Sequence, residues 1–172
     1  MHDRNKLFFL GFAVLVLSGS ARGSVRPKGG AVSLNPRTGK PIVTPGTKKL
    51  SSAEIRALAA GSGVANADKA LAIAIRESGG YADVVVDTRG MTLAELQAYW
   101  PDHTKKYGPE LSVGLWQINV LANGALLGLD AEALKDPNAD PAEAIAKLAD
   151  PATNAATLAA LVKAHGWAPW GG

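Results

Sequence analysis

Hydrophobic positions along the chain fall into blocks of different rhythm. The first is an unbroken uncharged run, Leu7 to Leu17, behind a polar and basic start (His2, Asp3, Arg4, Asn5, Lys6). From Arg22 to Leu50 there is no apolar period, and Pro27, Pro36, Pro41 and Pro45 alternate with Gly29, Gly30, Gly39 and Gly46; this composition predicts a flexible tether. Helical spacing begins at Ser51. Ser51 and Glu54 make a capping box ahead of Ile55, Leu58 and Ala59, predicting a short helix to about Gly61. Asn66 or Asp68 starts a second helix through the almost wholly apolar stretch Ala67 to Ile75, stopped by Ser78-Gly79-Gly80.

Further on, Tyr81 to Thr88 carries Val84, Val85 and Val86 and reads as irregular or weakly extended. Thr92 and Glu95 form another capping box, whose helix must end before Pro101, and Lys105 to Glu110 reads as loop. Asp140-Pro141 and Asp150-Pro151 each set a cap before a proline, predicting helices over roughly 141–149 and 151–164. The last has a face of Ala155, Leu158, Ala159, Leu161 and Val162. The expected class is therefore all-α, or α-rich with little strand, in a single domain over 51–172.

Charge divides the chain. Residues 1–60 hold ten Lys or Arg against two Asp or Glu, a balance of +8, and residues 61–172 hold eight against thirteen, a balance of −5; these sum to the formal +3. A basic arm in front of an acidic domain favours contact between residues 1–50 and a membrane or another anionic surface. No aromatic residues interleave with the basic ones, so no specific nucleic-acid role is expected. Fifteen uncharged residues lie between Lys6 and Arg22, short of the roughly 18–20 that span a bilayer. Residues 1–21 therefore read as an export signal cut after Ala21, with a short uncleaved anchor as the alternative. Both readings carry the protein to the periplasm or cell envelope. The chain has no cysteine, which removes disulfides, thiol nucleophiles and Cys-based zinc sites.

Two stretches carry candidate chemistry. Glu77 sits where an apolar helix opens onto a glycine loop, a setting in which desolvation raises a carboxyl pKa toward the range of a general acid. The plain alternative is a solvated helix-end glutamate beside Arg76. The second stretch is Ser112-Val113-Gly114-Leu115-Trp116-Gln117-Ile118-Asn119. Ser112, Gln117 and Asn119 offer neutral donors and acceptors beside an apolar ring at Trp116, the mixture that a sugar requires. The plain alternative packs Leu115, Trp116 and Ile118 in the core. His2, His103 and His165 lack metal-ligand spacing, so neither a metal nor a cofactor is expected.

In order along the chain, Glu77-Ser78-Gly79-Gly80, the Ser112–Asn119 stretch, Asp150-Pro151-Ala152-Thr153-Asn154 and Gly166-Trp167-Ala168-Pro169-Trp170 resemble the soluble lytic transglycosylase and goose-type lysozyme superfamily, particularly its phage-associated members. The resemblance covers about residues 52–172. It implies an α-rich monomer with a cleft that binds peptidoglycan glycan strands and cleaves the β-1,4 bond between N-acetylmuramic acid and N-acetylglucosamine. It assigns Glu77 as the acid/base, Ser112 and Gln117 as cleft-lining residues with Asn119 beside them, and Asn154 as scaffold. Trp167 and Trp170 would close the domain by packing. Two features depart from the pattern: the long interval Tyr81–Glu110, and Val162 where many members have a tyrosine. Tyr81, Tyr99 or Tyr107 could supply that ring, with Tyr81 also a substrate contact. Asp83 and Asp87 are the candidates for a second carboxylate, which would favour hydrolysis by water. A wall-binding or virion component that keeps the shape without activity is the third reading.

Overall fold

The computed structural model describes residues 33–100 and 108–171. The expected signal segment 1–21 and the first part of the expected tether lie outside them, as does Tyr107. Within them the chain forms six α-helices and a four-stranded antiparallel sheet. The fold is thus mixed and helix-rich, a correction to the all-α expectation. The helices are α1 (Ser52–Gly61), α2 (Ala67–Ser78), α3 (Leu93–Tyr99), α4 (Val120–Asn123), α5 (Ala142–Ala149) and α6 (Pro151–His165). The strands are β1 (Val43–Thr44), β2 (Val85–Asp87), β3 (Leu111–Val113) and β4 (Ile118–Asn119), in that spatial order. None exceeds three residues, too short for an alternating pattern to stand out in sequence.

The caps form as their chemistry dictates. Ser51 with Glu54 and Thr92 with Glu95 make complete capping boxes on α1 and α3. Asn66 accepts from the Lys69 N–H to start α2, and Asp150 accepts from the Thr153 N–H and hydroxyl to start α6. These donors hold the Asp150 carboxyl below the usual aspartate range. Gly79 ends α2 at φ 66°, a left-handed conformation in which a Cβ would be strained. The stretch before Glu77 is less uniformly buried than its composition implies: Ala70, Ile73 and Ala74 face the core while Ile75 is exposed.

The sheet separates two hydrophobic layers. Val85, Leu111, Val113 and Ile118 join the main core with α1, α2, α5 and α6. Side chains alternate across a strand, so the cross-strand row Val43, Val86, Ser112, Asn119 lies on the opposite face. There Val43 and Val86 pack with Ile42, Met91 and Leu96 beneath α3. The interval Tyr81–Glu110 thus supplies a strand and the helix that covers the second face.

The expected flexible tether 22–50 requires correction over its second half. Asn35 is fully buried, and its Nδ2 donates to the Asp87 and Arg89 carbonyls. Val43 pairs with Val86. Farther on, Leu50 N donates to Gly80 O and Ala82 N to Lys48 O, stitching 48–50 along the loop after Glu77. Pro41 and Pro45 sit beside the strand rather than within it.

Asp83 completes this seam by accepting from Thr47 N, Thr47 Oγ1 and Lys48 N. Burial works against its charge, but these donors outweigh it and hold its pKa below the ordinary aspartate value. A depressed folded-state pKa gives stability that is present above the unfolded pKa and is lost as pH falls through the folded one. Asp83→Asn therefore lowers Tm at neutral pH, and its gap from the wild type closes as pH drops below about 4. Thermal melts across acid pH check this, and a gap independent of pH contradicts it.

Candidate active site

Glu77 occupies the last turn of α2 and is 8% exposed. Apolar packing on α1 fixes the helix, and the glycines beyond it turn the chain toward β2. Neighbouring Arg76 folds back on it. Its Nε and Nη2 lie 2.9 and 2.7 Å from Glu77 Oε1, and Nη2 also donates to the Trp170 carbonyl at 2.8 Å. Ser78 turns inward, donating from Oγ to Ala74 O and accepting from Gly80 N.

The Ser112–Asn119 stretch forms β3, a tight turn and β4. Asn154 of α6 holds that turn from within: its Nδ2 donates to the Val113 and Leu148 carbonyls and its Oδ1 accepts from Trp116 N. Gly114, at φ 85°, lies against it, and a Cβ there would collide with the Asn154 side chain and with Leu148 O. Trp116 is fully buried and donates from Nε1 to Ala70 O of α2. This corrects the expectation of a ring face open to a sugar: the indole is a core element that ties the turn to the Glu77 helix.

Gln117 alone among the described non-glycine residues has a positive φ, 45°, a conformation costing roughly 1–2 kcal/mol. The turn sustains it. Gln117 N bonds to Gly114 O, and Nε2 donates to Gly114 O and to Val84 O. That leaves Oε1 buried without a hydrogen-bond partner, an acceptor with capacity to spare beside the chain that leaves Glu77. Asn119 caps α4 through Leu121 N and is half-buried. Ser112 is 1% exposed, in the layer beneath α3, and donates to Glu110 Oε2 at 2.7 Å. Glu110 and Ser112 share one strand face at i, i+2 spacing, a relation legible in the sequence but not read there.

The acids proposed as a second carboxylate are engaged elsewhere. Asp83 joins the seam to Thr47 and Lys48, and Asp87 pairs with the fully buried Arg89 at 2.9 Å. Tyr81 is half-buried with Lys49 Nζ above its ring, and Tyr99 packs edge-on to Trp100 in the second layer. Val162 lies partly buried against the main core. Trp170 is buried, while Trp167 packs at the core margin with Lys69 over its ring. Among the described residues no group of three or more His, Asp or Glu side chains is gathered to hold a metal ion, and no helix is long and apolar enough to cross a membrane.

The structure therefore links Glu77 to the Gly114–Gln117 turn through Trp116, Trp170 and Arg76, while Ser112 stays in a separate layer. Neither Arg76 nor the Trp170 carbonyl was anticipated as part of this arrangement; only Arg76's adjacency to Glu77 hinted at it. Comparison with curated proteins and with solved structures finds no match. A family model described as Lysozyme like domain matches residues 55–172, from α1 to the C-terminus, and the chain belongs to that family.

Proposed function

We propose that this chain is a peptidoglycan lytic transglycosylase in which Glu77 is the general acid and then the general base. The observation that carries the reading is a glutamate held almost out of solvent at a helix end, while Asp83 and Asp87 are spent on the Thr47–Lys48 seam and on Arg89. Ordinary glycosidases use two carboxylates flanking the bond. With one, Glu77 donates its proton to the glycosidic oxygen as the C1–O bond breaks. The resulting carboxylate takes the proton of the muramic acid C6 hydroxyl as that oxygen closes on C1. The proton count returns to its start, and no water enters. The substrate's acetamido group stabilises the cationic C1 centre in place of an enzyme nucleophile. Such acid–base assistance supplies roughly 10²- to 10⁴-fold, with orientation and electrostatics adding the rest.

Gln117 and Asn119, each only partly buried, are the proposed sugar contacts. Export to the cell envelope, and contact of the basic N-terminal region with an anionic surface, belong to the same reading. Mass spectrometry of muropeptides released by the full chain tests it. The expected product carries a 1,6-anhydromuramic end, lighter by one water than the hydrolytic product. A reducing end would assign a muramidase instead, and binding without release would assign a wall-binding module.

A further inference from the structure

The two oxygens of the Glu77 carboxylate have different surroundings. Oε1 takes both close contacts from Arg76, while Oε2 accepts from none of the described residues. Adjacent residues on a helix do not face each other, so this pairing requires the guanidinium to be steered. Trp170 O accepts from Arg76 Nη2 at 2.8 Å, Trp170 Nε1 donates to Trp116 O at 2.9 Å, and Trp116 Nε1 donates to Ala70 O at 2.8 Å. The series leaves α2 at Ala70 and returns to it at Arg76. Both indoles in it are buried, and the C-terminal 3-10 turn Ala168–Trp170 supplies the carbonyl.

We infer that Arg76 is a positioning residue for Glu77, held in register by the C-terminal Trp170 turn. The inference rests on Glu77 being the acid/base of the proposed reaction. With Oε1 fixed on the guanidinium, Oε2 is the oxygen that carries the proton to the glycosidic bond. After donation, the regenerated carboxylate already has a cation beside it. The fork also limits rotation of a side chain whose misplacement by about 1 Å costs on the order of 10²-fold in rate.

Steady-state cleavage of purified peptidoglycan by the full chain tests this. Arg76→Ala should lower kcat by roughly 10- to 100-fold while KM stays within about twofold. Arg76→Lys should recover part of that loss, because it restores the charge without the planar fork. Trp170→Phe keeps a ring but removes the N–H to Trp116 O, and should give a smaller loss confined to kcat. Thermal melts accompany each variant, since a purely structural role would lower activity only in step with the folded fraction. Arg76→Ala with wild-type kcat, beside an inactive Glu77→Gln, overturns the role of Arg76 alone. Cleavage that survives Glu77→Gln removes the reading of Glu77 and this inference with it.

Discussion

Glu77→Gln should abolish glycan cleavage while leaving the fold intact. Glutamine has nearly the same shape, and its amide oxygen can still accept from Arg76, so the last turn of α2 keeps its packing. What disappears is the acidic proton and the carboxylate base that it leaves behind. Loss of that acid–base function alone predicts a fall in kcat of about 10²- to 10⁴-fold, equivalent to roughly 3–5 kcal/mol of barrier. The stability cost should be small, because the Arg76 side chain is 34% exposed and partly exposed ion pairs contribute about 0–1 kcal/mol. Turbidity loss of peptidoglycan suspensions reads the first quantity and a thermal melt the second. Sedimentation with insoluble wall material should show binding retained. Clearing at the wild-type rate would end the assignment of Glu77, whereas loss of both clearing and folded signal would show that the carboxylate is chiefly structural.

The largest expected loss of stability lies elsewhere, at Arg89. This fully buried guanidinium donates through Nε and Nη2 to both oxygens of Asp87, and through Nη1 to the carbonyls of Leu134, Asp136 and Ala139. It joins the end of β2 to the segment 134–139, which has little regular structure of its own. Arg89→Met keeps much of the volume but leaves a buried carboxylate and three carbonyls without their donor. Breaking a buried pair from one side costs about 3–5 kcal/mol, a large share of the 5–15 kcal/mol typical of a domain. Tm should fall on the order of 10–20 °C. The paired change Asp87→Leu with Arg89→Met should recover part of the loss, since an apolar replacement of both partners removes the stranded charge. A shift of only a degree or two in the single variant would show that water replaces the guanidinium at no cost.

Legibility in the sequence followed the range of the interactions. Caps are local, and both capping boxes, Asn66 on α2, the break at Gly79 and the Asp150 start of α6 form where residue type required them. The strands were not visible because each has two or three residues, and the β1–β2 and β2–β3 pairings join positions far apart in the chain, as in Val43 with Val86 or Val86 with Ser112. Trp116 shows the limit at the site: its neighbours Ser112, Gln117 and Asn119 suggested a sugar surface, but a hydrogen bond to Ala70, 46 residues earlier, draws the ring inward. Asp87 shows the reverse error, a carboxylate two positions before the arginine that neutralises it. The left-handed backbone of Gln117 had no local signature, since glutamine rarely adopts it and only the turn built on Gly114 and Asn154 makes it tenable.

Strand β1 is two residues long, with Pro41 and Pro45 near either end. Proline has no amide hydrogen to offer an incoming backbone, and so short an exposed margin leaves little for a second molecule to zip onto. The sheet thus ends in a feature that discourages intermolecular stacking, in a chain whose sequence holds no cysteine to lock it shut.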